Sequence, residues 1–216
     1  MRRFVLVATM IVSLMPAMAQ TFKVGDFYPD PNVNLDDAGA VAAIEGVVFL
    51  VSEDGKSGKI FSLKEGKGLK WSVTGDVDYT EDTDDGMSNF NTVRAMEPDF
   101  YSYPAFAWCA SLGEGWYIPA INELVAMREA WGMTQAKRRA LNSRIQKAGG
   151  DPIQQSIFVQ SRGSNMSAIY YSSTEHPEKR NKVLSLSFNS TGGAGDGLKK
   201  LSDSMENLLY RAVKQF

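Results

Sequence analysis

Apolar residues at Ala105, Trp108, Cys109 and Leu112 recur at i, i+3, i+4 and i+7, which predicts one buried face of a short helix. Pro104 suits its first turn, where a missing N–H costs nothing. Gly113 and Gly115 supply the backbone freedom to leave that helix sharply. A second amphipathic pattern begins at Pro119 and runs through Ile121, Leu124, Val125 and Trp131, leaving Arg128 and Glu129 for solvent. Trp116, Tyr117 and Ile118 fill the corner between the two helices and read as core, since aromatic side chains bury large areas. A third helix is predicted over Thr134–Ala148, with Leu141, Ile145 and Ala148 on one face and Gly149-Gly150 as its stop. Its basic residues Lys137, Arg138, Arg139, Arg144 and Lys147 suit either an acidic partner or a wet helix face.

Elsewhere the pattern is that of strands. Val47–Val51 is a short, β-branched apolar run, Glu53–Lys56 is a turn signal, and Lys59–Leu63 is the returning strand of a hairpin. Leu69–Val73 forms either a strand or a loop carrying Trp71. Asp36–Glu45, rich in alanine, forms either a brief helical turn or a lead-in strand. Asp151–Ala168 reads as an irregular connection with a short strand at Ile157–Val159. Ile169–Ser173, Val183–Phe188 and Leu208–Val213 give the last strands, and the alternation from Leu184 to Phe188 predicts one buried face.

Four motifs stand in order along this framework. Gly113-Glu-Gly-Trp-Tyr-Ile-Pro-Ala-Ile-Asn-Glu-Leu124 resembles the "GGGWRLPTxxEL" signature of bacterial DUF1566, or Lcl-like, domains, which are related to the Fibrobacter succinogenes major paralogous domain. Tyr170–Glu175 resembles that family's "YWSSTE", Tyr210–Lys214 its closing "VRAVR", and Gly46–Ile60 its opening "GGIVFYVDxxGxHGLI" hairpin. Asp85-Gly86 with Asn89 resembles its "DGxxN" turn, which implies a structural corner. The resemblance covers Gly46 to Phe216 and implies a C-type-lectin-like fold of exported or surface proteins. The fold class expected is therefore α+β, with two to three helices packed on antiparallel strands. Tyr117 and Ala120 stand where the family has Arg and Thr, so any role of those positions does not carry over.

The N-terminus adds a destination. Arg2 and Arg3 precede an apolar run from Phe4 to Met15, then Pro16 and Ala17-Met18-Ala19, the pattern of a secretory signal peptide cleaved after Ala19. The run falls short of the ~20 apolar residues of a membrane span. The organisation read from the chain is a signal peptide at 1–19, a leader at 20–45 that lies along the domain, and one domain at 46–216. Removing the signal takes away two arginines and moves the formal charge from −2 to −4, so no basic surplus points to nucleic acid. Apolar residues make up 44% of the chain, enough for a sizeable core. The single cysteine excludes an internal disulfide, and Cys109 on an apolar helix face reads as a small buried hydrophobe.

Candidate chemistry is sparse. Asp76, Asp78, Glu81, Asp82, Asp84 and Asp85 crowd one segment, where Asp82, Asp84 and Asp85 are the candidate ligands of a calcium ion. The preferred reading of the same cluster is a solvated acidic loop, since a charge run usually faces water. EF-hand spacing fails: with Gly86 at position six, Glu81 stands first, Thr83 third and Thr92 twelfth. The "EPN", "QPD" and "WND" motifs of calcium-dependent sugar binding are missing, so the fold name alone assigns no sugar site. His176 is the only histidine and precedes Pro177 in a charged turn, which predicts a surface residue and no zinc site. Ser172, Ser173, Glu175 and His176 hold the residue types of a triad, but triads form across space and no GxSxG elbow is present. Formylglycine-generating enzymes share the implied scaffold, yet their cysteine chemistry does not fit one cysteine on an apolar face. Glu175 and Arg211, charged within apolar strands, are expected to pair with each other. The resulting expectation is an exported, non-enzymatic binding or adhesion protein of the cell envelope that takes a glycan or protein ligand, without catalytic or cofactor-binding residues. The alternative is a structural or assembly subunit of a surface complex. Binding would sit in the loops His176–Lys182 and Asn189–Lys200 at one end of the sheet.

Overall fold

Eleven short strands and five α-helices are distributed along the residues that the computed structural model describes, which are 20–74, 78–132, 134–179, 181–189, 194–198 and 208–216. The segment read as a signal peptide lies outside them, as does Asp76. The chain folds as an α+β protein. Its first sheet has the order β1 (Phe27–Tyr28), β2 (Gly46–Val51), β3 (Gly58–Ser62) and β11 (Val213–Gln215), all antiparallel. Its second has the order β4 (Gly66–Lys67), β10 (Leu208–Tyr210), β7 (Ile169–Glu175), β8 (Lys182–Ser187) and β9 (Ala194–Leu198). One pair departs from the antiparallel expectation: β10 runs parallel to β7. β5 (Ser156–Val159) occupies the short strand expected at Ile157–Val159, and β6 (Ser164–Ser167), in the part read as irregular, pairs with it in a separate hairpin.

The β2–β3 hairpin forms where the apolar run predicts it, with Val47, Val48, Ile60 and Phe61 fully buried. Leu208–Val213, read as one strand, is divided at Arg211-Ala212, where the chain passes from the second sheet to the first. Because β11 continues there beside β3, Ser62 donates its N–H to the Ala212 carbonyl at 2.8 Å. One stretch of chain thereby joins the two sheets.

The helices α3 (Pro104–Ser111), α4 (Ile121–Trp131) and α5 (Gln135–Lys147) occupy the three predicted segments. In α3 the buried residues are Ala105, Phe106 and Cys109, whereas Trp108 and Leu112 are half-buried. Phe106 takes the central place because it meets Trp71 edge-on at 4.9 Å and Phe90 at 5.7 Å. Between α3 and α4, Gly113 and Gly115 have φ of +122° and +83°, conformations that a side chain strongly disfavours. Trp116, Tyr117 and Ile118 are buried, as the corner required. The chain resolves both open alternatives: residues 38–42 form α1 (Ala38–Ala42), and Trp71 sits fully buried in a loop, its indole N–H donating to the Ser172 carbonyl at 3.0 Å.

Helix α2 (Gly86–Met96) occupies the end of the segment read as an acidic loop. Periodicity concealed it because Gly86, Asn89, Phe90 and Val93 form its buried face, a stripe that is half polar. Helix α4 packs against β2, β7 and β8, which covers one face of the second sheet. Leu186 in β8 and Phe188 just after it are buried, but so are Val183 and Ser185 of β8, so both faces are partly covered.

Residues 20–45 lie along this body. Phe27 is fully buried and Phe22 nearly so, and the rings of Phe22, Tyr28 and Phe216 stand 4.7 to 5.4 Å apart. Arg144 of α5 donates to the Gly25 carbonyl at 2.8 Å and places its guanidinium 4.8 Å from the Phe27 ring. Lys214 reaches Glu45 at 2.6 Å.

Cys109 is completely buried, and burial pushes its thiol pKa well up. A protonated thiol without solvent access is a poor nucleophile. A disulfide reagent should therefore fail to label the native chain and should label it once after unfolding in urea; labelling at the unfolded rate in native buffer would place Cys109 at the surface.

Candidate functional site

The sequence motifs converge on the acidic segment and the end of β7. Pro119, read as the helix start, precedes it by two residues because its carbonyl accepts the Ser173 N–H at 2.7 Å and so keeps the chain extended. The first amides of helix α4 find acceptors in its own Glu123 and in two other parts of the fold. Ala120 N–H donates to Glu123 at 2.8 Å, Ile121 N–H to the Thr174 hydroxyl at 3.1 Å, and Asn122 N–H to the Thr83 carbonyl at 2.9 Å. These are groups that a helix start leaves without an internal acceptor.

Asn89 fastens the acidic segment to the same place. Its amide accepts from Asp82 N–H at 3.0 Å and donates to the Asp82 carbonyl at 2.7 Å and to the Ser173 hydroxyl at 3.0 Å. Thr174 adds a hydroxyl donation to the Asp82 carbonyl at 2.9 Å. Asp85, Gly86 and Asn89 thus stand at a structural corner.

The three candidate calcium ligands are neighbours in the chain, and each carboxylate is engaged locally. Asp82 accepts from the backbone N–H groups of Asp84 and Asp85 at 2.9 and 2.8 Å. Asp84 accepts from Asn122 at 2.8 Å and from the Thr83 hydroxyl at 2.9 Å, and these bonds hold its carboxyl below the usual range. Asp85 caps α2 by accepting from Met87 and Ser88 N–H at 2.9 and 3.3 Å. Among the described residues, no group of three or more His, Cys, Asp or Glu side chains is placed to hold a metal ion. Asp85→Ala should cost about 1 kcal/mol through the lost cap, read as a lower urea midpoint, while Asp85→Asn, which keeps the acceptor, should change it little.

Beside this corner lies a cleft of about 620 Å³ between Glu81 and Thr83 on one side and Thr174, Glu175, His176 and Pro177 on the other. Glu175 is buried and accepts from the N–H groups of Asp78 and Thr80 at 3.0 and 3.1 Å, which pins the acidic segment to β7. Asp78, also buried, accepts from the Tyr103 hydroxyl at 2.7 Å; burial, with this bond, pushes the Tyr103 phenol up and keeps it a donor. His176 is half-buried where a surface residue was expected, and its Nδ1 accepts the Glu178 N–H at 3.1 Å. Ser172 donates to the Leu184 carbonyl at 2.7 Å, and Ser173 is held by Asn89. Both serine hydroxyls are engaged by groups other than His176, so the residue types of a triad stand side by side without its geometry.

The expected Glu175–Arg211 pair does not form. β10 and β7 run parallel with Leu209 opposite Tyr170, so Arg211 lies level with Ser172, three residues short of Glu175. Three strand residues span about 10 Å. Arg211 instead turns toward β3 and pairs with Glu65 at 2.5 Å, both side chains fully buried. Sequence reasoning singled out neither Glu65 nor Glu123. The signal for Glu123 was its place in the Ile-Asn-Glu-Leu motif; Glu65, in a charged run between strands, carried none.

The described residues thus define an α+β scaffold with a polar corner at the end of its second sheet. It is similar to the crystal structure, at 1.85 Å resolution, of a fimbrial protein from Bacteroides ovatus ATCC 8483, with a TM-score of 0.65 and 17% sequence identity. The match covers 90% of this chain and 49% of that one, so the chain spans about half the length of the fimbrial protein. The likeness is one of fold. No protein-family model matches the chain, and no curated protein matches it.

Proposed function

We propose that the chain is an exported, non-enzymatic binding or adhesion protein of the cell envelope, with a glycan or protein as its ligand. The observation that carries this reading is the fold shared with a fimbrial protein over 90% of the chain. The N-terminal export pattern supports it, and so do the four ordered motifs that resemble DUF1566 domains, which also favour a C-type-lectin-like assignment for residues 46–216. The polar groups of the motif corner are spent on holding loops and helix ends together, which suits a scaffold for recognition better than a reaction centre. No helix among the described residues is long and apolar enough to cross a membrane.

The test is to express the full chain in a bacterial host, locate it by fractionation and by protease treatment of intact cells, and screen the exported form on glycan and protein arrays. The reading requires processing after Ala19, an envelope or external location, and saturable binding to at least one arrayed ligand. Retention of an unprocessed chain in the cytosol would overturn it.

A second reading, an assembly subunit, is favoured by the edge of the first sheet, where the leader contributes only the two-residue strand β1 beside the six-residue β2. A short edge strand can be replaced by one from a partner. Concentration-dependent oligomers, blocked by excess synthetic peptide covering residues 20–32, would select this reading.

A further inference from the structure

Part of the basic helix α5 borders a cleft. Gln135, Arg138, Arg139, Asn142 and Gln146 recur at helical spacing and line one wall of a cleft of about 380 Å³, at the small end of the ~300–1,000 Å³ typical of ligand sites. The opposite wall is the segment from Pro152 to Ser156. In a chain of net acidic charge, this cleft is lined by two arginines and by no carboxylate. The rest of its lining is mainly amide and hydroxyl side chains.

The walls are fixed. Asn142 donates to the Ile153 carbonyl at 2.8 Å and accepts the Ile153 N–H at 3.0 Å, tying the segment to the helix. The same Asn142 oxygen accepts the Trp131 indole N–H at 3.1 Å. Trp131 in turn lies 5.3 Å from the Arg138 guanidinium, whose Nη1 donates to the Gly132 carbonyl at 3.4 Å, so Arg138 is anchored to the end of α4. Arg139, by contrast, is exposed, and the side chains of Arg139, Gln135, Ser143, Gln146 and Gln155 form no hydrogen bond or ion pair among the described residues. An exposed arginine, Arg139, and several amides without a side-chain bond among the described residues face one small space beside the anchored Arg138.

We propose that this cleft binds an acidic saccharide, a hydroxyl-rich ring carrying a carboxylate or sulfate. The exposed Arg139 guanidinium matches an oxyanion with paired, charge-assisted bonds, and the Arg138 charge beside it adds to the attraction. Glutamine amides and the Ser143 hydroxyl both donate and accept, as sugar hydroxyls require. The proposal rests on the binding-protein reading above and names a ligand class for it.

The test uses the purified full chain, 15N-labelled, titrated with glucuronic acid, glucose 6-sulfate, glucose and inorganic sulfate. The two acidic sugars should bind saturably, shift the amide signals of α5 and of residues 152–156, and bind at least about tenfold tighter than glucose or sulfate. Arg139→Gln, at an exposed position, should weaken acidic sugars about tenfold without lowering the urea midpoint. Added salt should weaken them as well. The carboxylate and sulfate arms decide which oxyanion is preferred. Equal binding of glucose and glucuronic acid, sulfate binding as tightly as the sugars, an unaffected Arg139→Gln variant, or no saturable shift would each overturn the site. A chain found in the cytosol but binding acidic sugars would end the envelope reading and leave the cleft; an exported chain that ignores them would do the reverse.

Discussion

Replacing Glu65 by alanine should destabilise the protein by about 3–5 kcal/mol, because it strands a fully buried guanidinium. Arg211 donates to the carbonyls of Ser62, Leu63 and Asp151, each at 3.0 Å, but those dipoles do not neutralise its charge. Tyr170 would also lose its acceptor, since its hydroxyl donates to the same Glu65 oxygen at 2.5 Å. Burial pushes the Tyr170 phenol well up, with the Glu65 charge reinforcing it, so it remains a neutral donor that needs that partner. The loss should read as a lower urea midpoint at unchanged slope, and as a fall in melting temperature of roughly 6–20 °C. Removing both charges at once, in a Glu65→Leu and Arg211→Met double variant, should cost less than Glu65→Ala alone, because no unpaired ion remains. A Glu65→Ala chain within 1 kcal/mol of the wild type, as an order-of-magnitude limit, would show that water reaches Arg211.

The second large effect belongs to Glu123. One carboxylate oxygen accepts from Lys59 at 2.5 Å and from the Tyr117 hydroxyl at 2.8 Å, and the other from Gly86 N–H at 3.0 Å and Ala120 N–H at 2.8 Å. Four separate parts of the chain meet on one buried side chain: β3, the glycine corner, the start of α2 and the start of α4. Glu123→Ala leaves a half-buried ammonium, a phenol and two helix-start amides without their acceptor, and should cost about 3–5 kcal/mol. Gly86→Ala should do comparable harm from the other side of the contact. A Cβ there would stand 2.4 Å from the Ile118 carbonyl and 2.7 Å from the Glu123 carboxylate, so backbone must shift. Urea titrations of the two single variants and the double variant test the assignment: losses that fail to add identify one shared contact, whereas full additivity would separate the two sites.

These two clusters explain why the chemistry of the chain was hard to weigh from its sequence. Asp82, Asp84 and Asp85 drew attention because three carboxylates stand close together, yet in the fold they hold backbone amides and Asn122. Glu65 and Glu123 stand in no such cluster, yet both are buried and each gathers several donors in the fold. A charge in a sequence does not disclose whether it faces water or a buried donor, and its energetic weight depends on that difference.

What the chain determined by itself were the properties that follow from local periodicity and backbone chemistry. The apolar runs set the β2–β3 hairpin, β7 and β8, whereas β9 lies inside the stretch read as the loop Asn189–Lys200 and the last run is divided between two sheets. The i, i+3, i+4 patterns set α3, α4 and α5, and Gly113 with Gly115 set the corner between the first two. Such features need only neighbours a few residues apart, so the pattern carries them. Tertiary structure alone decided the rest. α2 is a helix whose buried face is half polar, and it exists because Asn89 finds Ser173 and Gly86 finds Glu123 across the fold. The parallel register of β10 on β7 sent Arg211 to Glu65 and left Glu175 to hold the acidic segment. Helix α5 was legible as a helix, but its basic face became one wall of a cleft only when Asn142 drew the segment at Ile153 against it. Partner choice is set by distance in space, and neither composition nor periodicity measures that distance.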